Sequence, residues 1–400
     1  MKSYSVFLIV ILMVSTMSIS AKDNPFFKEY DTPFGVPPFE KIKLEHYKPA
    51  FEEGMRLHLA EINEIVNNPS EPTFDNVIIA MEKSGSMLDK VSSVFYNMMS
   101  ANTGKELQMI AQEISPMMSK HGDDIALNPN LFKKVKAVYD AKESLNLTQE
   151  QTKLLDETYK GFIRGGAALS DDQKTILRNI NEDLAMLTLN FGQNVLAETN
   201  NYKLIIDKKE DLAGLPKSVI EAAEQTANET GNKGKWVFTL QNASWVPFMT
   251  LSANRQLREK MFWAYANRGN NRNDYNNNPN IQRITFLRYE KAALLGFKNH
   301  ADYVLAESMA KDAETVDRFL TELWNVAKPN AEREAMELQE LMNRDLPDEK
   351  LQAWDWRYYS EKLREEKYNL NEEELRPYFE LNNVRKGIFE LTKRLYGITY

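Results

Sequence analysis

Apolar residues recur at helical spacing almost from one end of this chain to the other, and that rhythm confines it to an all-α architecture with little room for sheet. Tyr47, Phe51, Met55, Leu59, Ile62 and Val66 follow one another by three or four positions, as do Leu177, Ile180, Leu184, Leu187, Phe191 and Val195. Such spacing gathers the side chains on one face of a helix, which must then be covered. Start signals agree with the periods. Thr148 with Gln151, and Ser170 with Gln173, have the form of capping boxes. Thr73 after Pro72 opens a further helix, and Pro216 marks the first turn of one ending near Ala227. Gly165-Gly166 reads as the turn that follows a helix. Helices are predicted again over 281–295, 299–309, 312–344, 356–367 and 383–396.

Two short runs break the rhythm. Tyr202–Asp207 and Lys235–Leu240 are rich in β-branched and aromatic residues, and they flank the helix that starts at Pro216. They are expected to form one small strand pair within 202–240. Asn270–Asn280 is polar and Asn-rich, so it is read as a loop or helix entry.

The N-terminus carries a positive Lys2, an apolar run Val6–Val14, and small residues around Ser18–Ala21. That is the layout of a cleavable signal peptide over residues 1–21. The run is too short for a permanent membrane helix, and no Cys is present to carry a lipid anchor. The protein is therefore expected to be exported, periplasmic or extracellular, and soluble, with no stable membrane anchor. Its net charge of −8 gives it no electrostatic reason to bind nucleic acid. With no Cys, thiol nucleophiles, thiolate metal sites and disulfides are excluded, so the core must hold the fold. At 400 residues that is feasible, since such a chain buries roughly 75% of its unfolded surface.

Chemistry-bearing residues are sparse. His46, His58, His121 and His300 are the four histidines, and no two stand four apart as a helical zinc pair requires. Each is read as a surface or cap residue, with His46 at a helix start, His58 on a polar flank, His121 before Gly122 at a helix C-terminus, and His300 bordering a helix start. The runs Asp171-Asp172, Glu365-Glu366 and Glu372–Glu374 lie near basic residues, as Glu361 does near Arg364, and are read as solvated helix faces. Ser84-Gly85 and Gly85-Ser86 are placed inside a helical region with no His beside them, and there is no G-x-S-x-G and no phosphate-binding glycine loop. Catalytic residues: none. Metal ligands: none. The densest feature is Trp354-Asp355-Trp356-Arg357-Tyr358-Tyr359. It suits either a packing anchor between helices or the wall of a cleft for peptide.

That segment, with Ser360–Arg364, Lys367-Tyr368 and Leu375–Leu381, resembles the central signature of the thimet-oligopeptidase family, and more narrowly the bacterial peptidyl-dipeptidases (dipeptidyl carboxypeptidases). Arg288–Phe297 followed by Ala301, Tyr303 and Met309-Ala310, and Arg258–Lys260 with Ala264-Tyr265 and Arg268-Gly269, are similar to the family's upstream helices. So are Asn24–Phe27, Pro37–Phe39 and His46-Tyr47 at the start. The resemblance implies a clam-like helical metallopeptidase fold around a channel for short peptide substrates. It also implies a zinc cofactor held by an HExxH helix and a later Glu. Here the chain departs from the family, because it contains no HExxH. It reads as residues 22–147, an N-terminal helical subdomain, and 148–400, a channel-wall region truncated before the zinc motif. The expected function is that of the N-terminal part of an exported zinc metallopeptidase, inactive alone, with the missing C-terminal half as a possible partner and with exposed apolar helix faces toward its own C-terminus. The alternative is a non-catalytic peptide-binding helical protein.

Overall fold

The computed structural model describes residues 23–369 and 372–400. The signal peptide read from residues 1–21 lies outside the described residues. The mainly helical fold with one strand pair is what the structure contains. Its contacts divide it into two compact units. One takes in residues up to Asn194 together with Asn277–Ala313, and the other Val195–Asn276 with Glu314–Tyr400.

In the first unit α1 (Leu44–Asn67), α2 (Ser86–Ala101) and α3 (Lys105–Ala126) pack on one another. The periodic residues named above supply the contact. Tyr47, Phe51 and Met55 turn inward and meet Val91, Phe95 and Ile114, with Phe26 closing the cluster. Phe51 and Phe95 meet edge to face at 5.3 Å. Full burial of each such side chain contributes roughly 1.5–3 kcal/mol. A second cluster joins Ile62 and Ile65 at the other end of α1 to α4 (Pro129–Asp140) and α5 (Gln149–Arg164) through Leu131, Val135, Leu155 and Phe162. Between α1 and α2 the helical stretch Phe74–Ile79 runs into Ala80–Glu82. The Thr73 hydroxyl accepts from Asn76 N at 3.1 Å, and the Asn76 side chain accepts from Thr73 N at 2.7 Å.

The other two capping boxes also form. Thr148 Oγ1 accepts from Gln151 N at 3.2 Å and Gln151 Oε1 accepts from Thr148 N at 2.9 Å. Ser170 and Gln173 exchange the same pair of bonds at the start of α6 (Asp171–Asn201). Gly166, after α5, takes the left-handed φ of +92° that the Gly-Gly turn anticipates.

The second unit is built on the strand pair. β1 (Leu204–Ile206) and β2 (Trp236–Phe238) run antiparallel with Leu204 opposite Phe238, and α7 (Lys217–Glu229) lies between them in the chain, with Pro216 at its cap. Behind the strands α8 (Asn242–Leu251) and α9 (Arg255–Ala266) bring Trp245, Phe248 and Met261 into one core with Phe238 and Leu212. The Asn-rich stretch after α9 is a loop, as predicted, and it leads into α10 (Asn278–Leu294) of the first unit, followed there by α11 (His300–Leu305). α11 is shorter than the 299–309 predicted. The chain turns at Leu305–Asp312, where Lys311 adopts a positive φ of 67°.

α12 (Ala313–Asp345), α13 (Ala353–Tyr368) and α14 (Leu381–Tyr396) complete the chain, each close to its predicted bounds. α12 buries Leu338, Leu341 and Met342 near its C-terminal end against Tyr359 of α13. Nearer its N-terminus Phe319, Leu323 and Trp324 are all more than half exposed. α14 buries nothing, although Val384, Ile388, Leu391 and Leu395 share one face. No helix among the described residues is long and apolar enough to cross a membrane.

Candidate functional site

The ring-rich segment 354–359 opens α13, and the first question is what fixes it. Asp355 sits at the third position of the helix, where its Oδ2 accepts from Gln352 N at 3.1 Å and supplies the negative charge a helix start favours. The same carboxylate is fully buried and faces α9. Arg258 Nη2 donates to Oδ1 at 2.8 Å, and Arg255 Nη2 donates to Oδ2 at 2.9 Å. The remaining guanidinium donors are also used. Arg258 Nη1 reaches Ser252 O at 2.8 Å and its Nε reaches Trp354 O at 3.2 Å, while Arg255 Nη1 pairs with Glu349. Arg255 and Arg258 stand three apart, so one turn of α9 presents both to one carboxylate.

Around this knot the rings sort themselves. Trp354 packs beside Phe262 and Trp263, Arg258 lies 4.1 Å from the centre of the Tyr358 ring, and Arg357 lies 5.2 Å from the Trp245 ring. Tyr359 is buried against Met342. Of the two uses read from the sequence, the packing anchor describes most of the segment. Trp356 is the exception. It is 37% exposed and opens onto a groove of about 760 Å³ whose other walls include Met336, Gln339, Asn343 and Lys350.

A groove of about 1030 Å³ runs between α7, α8 and α13. Gly214, Thr226, Ser244, Pro247 and Thr250 form its floor and sides, with Glu361, Glu365 and Arg376 along one edge. Gly214 is required here. Its φ is +85°, and a Cβ would overlap the Leu251 carbonyl oxygen. Small side chains, hydroxyls and a carboxylate edge suit a wall that lies against an extended chain, and they hold no nucleophile paired with a base. Glu361 forks with Arg364 as their spacing suggests, but both side chains are partly buried, so this part of the face read as solvated is only half open to water.

Also in the second unit, Glu198 organises the Asn-rich loop. It is 6% exposed and accepts from Gly269 N, from Asn271 Nδ2 at 2.9 and 3.0 Å, and from Asn273 Nδ2. Burial works to raise its carboxyl, but the hydrogen bonds from Asn273, Asn271 and Gly269 hold it below the ordinary carboxylate range.

The histidines depart in part from what the sequence suggests. His46 Nδ1 accepts from Lys43 N at 3.0 Å at the start of α1, and His300 begins α11, as read. His58 and His121 are neither surface nor cap residues. α3 continues past Gly122 to Ala126, because Leu107, Ala111 and Ile114 pack with Tyr47 and Phe51 of α1 while Ile125 packs on the second cluster, which outweighs about 1 kcal/mol for one helical glycine. His121 is thereby buried in mid-helix, with its Nε2 3.0 Å from His58 Nδ1. Gly85 is not inside a helix either. It breaks the chain with a φ of +81° just before α2, and the ring of His58 lies against it. A contact between residues 63 apart leaves no local signature in a sequence.

The donor set does not fit the zinc that the family resemblance implies. Among the described residues no group of three or more His, Asp or Glu lies close enough to hold a metal ion, and the chain has no Cys. No chemical step through zinc is assigned to these residues.

Comparison with known proteins gives the rest. Residues 248–400 match the profile of Peptidase family M3. The chain is 36% identical over 378 residues to the dipeptidyl carboxypeptidase of Escherichia coli, an alignment covering 94% of this chain and 56% of that one. It is 34% identical over 368 residues to oligopeptidase A of Haemophilus influenzae, covering 91% and 54%. With saccharolysin of Saccharomyces cerevisiae the identity is 25% over 361 residues, covering 84% and 49%. The chain spans about half the length of the curated relatives it matches.

Proposed function

We propose, on the premise that residues 248–400 match Peptidase family M3, that the chain is the peptide-lining part of an exported zinc metallopeptidase that hydrolyses short peptides, releasing dipeptides from their C-termini. The observation that carries this reading is the 36% identity to a dipeptidyl carboxypeptidase, sustained over 94% of the chain and confined to 56% of the relative. What aligns is a share of a peptidase, and in this proposal the metal ligands lie in the share not spanned here. The family is generally zinc-dependent. When bound, the metal supplies an activated water and polarises the scissile carbonyl.

The residues of this chain have a different task in the proposal. The groove floor around Thr226, Ser244 and Thr250 offers hydroxyls to the backbone of an extended peptide, and the Arg255–Asp355–Arg258 knot keeps α13 seated so that this wall does not yield. Export is part of the proposal, supported by Lys2, the apolar run Val6–Val14 and the small residues to Ala21. N-terminal sequencing of the secreted product is then expected to begin at Ala21 or Lys22.

The test compares the chain alone with the chain joined to the remaining length of an M3 relative. Zinc content and hydrolysis of a quenched fluorescent oligopeptide are measured on both. Neither is expected from the chain alone, and both from the joined protein. Hydrolysis by the chain alone that survives chelation overturns the proposal. Peptide binding by a monodisperse chain, with no hydrolysis in either form, favours the non-catalytic binding protein instead.

A further inference from the structure

Helices α1 and α3 are fastened by an imidazole pair that the peptidase reading leaves without a task. His58 comes from α1 and His121 from α3, with Nδ1 and Nε2 3.0 Å apart and ring centres 5.0 Å apart. The turn at Gly85 closes over the His58 ring so tightly that a Cβ there would stand 3.0 Å from it. His121 Nδ1 is buried and has no hydrogen-bond partner.

That last atom decides the tautomers. A neutral imidazole has one N–H and one lone pair. An orphaned lone pair is tolerated more readily than an orphaned N–H. His121 therefore carries its hydrogen on Nε2 and donates to His58 Nδ1. A proton added to His58 at Nδ1 would face the N–H of His121, unless His121 shifts its own hydrogen to Nδ1, where no acceptor exists. A second proton sets two imidazolium N–H groups against each other at hydrogen-bond distance. Both steps are resisted by geometry, whichever ring is charged first.

The surroundings do not relieve this. Glu61, on α1, is engaged by Gly85 N at 2.7 Å. Asp89, on α2, and Glu61 favour a charged His58, but burial prevails and holds it below the ordinary histidine range. On α3, Asp124 is taken by Arg178 at 2.7 Å and by Lys120, and His121 is held down by burial first and by His58 second.

We propose that the His58–His121 pair is a proton-sensitive clasp, closed while both rings are neutral, and that acidification opens the contact between α1 and α3. Both folded-state values lie below the unfolded one, so the unfolded or opened state binds more protons. The clasp's contribution is complete above about pH 6.5 and is lost as the pH falls below it. The device is independent of whether the chain acts in a peptidase.

The experiment uses the full chain labelled at histidine, of which it has four. Imidazole resonances are followed from pH 8 to 5 by NMR, with His58→Gln and His121→Gln for assignment. Hydrogen exchange of the α1 and α3 amides is measured at pH 7.5 and 5.5 and corrected for intrinsic rate. The resonances assigned to His58 and His121 are both expected to titrate below 6.5. The opening constant is expected to rise by roughly tenfold per pH unit for each proton taken up, and to rise less in either variant. Midpoints at or above 6.5 for both rings overturn the proposal from the wild-type protein alone, whether or not a variant folds. An opening constant with the same pH dependence in wild type and variants overturns it too.

Discussion

Arg258 and Asp355, 97 residues apart, form an ion pair of 2.8 Å with both side chains sealed from solvent. Such a pair is strongly felt when only one member is removed. Asp355→Ala would leave Arg258 buried without its charge partner and Arg255 without most of its bonds. A loss of about 3–5 kcal/mol is expected, read as a fall in the urea midpoint of the second unit by tryptophan fluorescence. Arg258→Met is expected to lose a similar amount, while Glu349→Ala, which removes an exposed bond to Arg255, is expected to cost less than about 1 kcal/mol.

Gly214→Ala is expected to be more damaging than its size suggests. It combines a left-handed backbone with overlap of a neighbouring carbonyl oxygen. A cost of about 2–4 kcal/mol follows, visible as a lowered thermal midpoint by circular dichroism. Gly192→Ala, on an open helix face with nothing within 4 Å, serves as the control and is expected to be neutral or stabilising.

The capping boxes make a smaller and more local prediction. Thr148→Ala removes the acceptor for Gln151 N and is expected to cost about 1 kcal/mol. Urea denaturation monitored by far-ultraviolet circular dichroism measures it, and Thr148→Ser is expected to restore most of the loss.

The bare face of α14 predicts solution behaviour. Ile388, Leu391 and Leu395 are each more than half exposed on a helix that buries nothing. The purified chain is expected to self-associate, and Ile388→Glu with Leu395→Lys is expected to reduce scattering in static light-scattering runs without loss of helix signal. Unchanged association would show that this face is not responsible.

His300 adds to the pH dependence of the whole protein. Burial, with help from Arg288 and Lys291, holds its imidazole below the ordinary range. The unfolded state binds the extra proton, so stability from this group is present above about pH 6.5 and lost as pH falls. His300→Asn is expected to flatten part of the fall in urea midpoint between pH 7.5 and 5.5.

The sequence reveals helices well where the signal is local. Thr148 and Gln151 sit three apart, and their two hydrogen bonds depend on nothing else, so the box is legible from four residues. The strand pair is legible for a similar reason, because β-branched runs flanking one helix have few ways to pair. Residues joined across the fold leave no such trace. Nothing near Arg258 announces Asp355, and nothing near His58 announces His121, because a helical period states which face is covered but not by what. The segment 354–359 lies between these cases. Its composition marks a place where rings gather, yet only packing decides that Tyr359 turns inward while Trp356 meets solvent.

Glu198 gives the Asn-rich loop a clock. Asparagine amides hydrolyse slowly, turning a donor into a carboxylate. Most of a loop's asparagines can change in this way with little effect, but Asn271 and Asn273 both spend their side-chain N–H groups on one buried acid. Conversion of either to Asp would remove a donor and set a second negative charge against Glu198 in a site built to stabilise one. The loop that one carboxylate holds together would then be pushed apart by two, so the age of a molecule would be written in the order of residues 269–273.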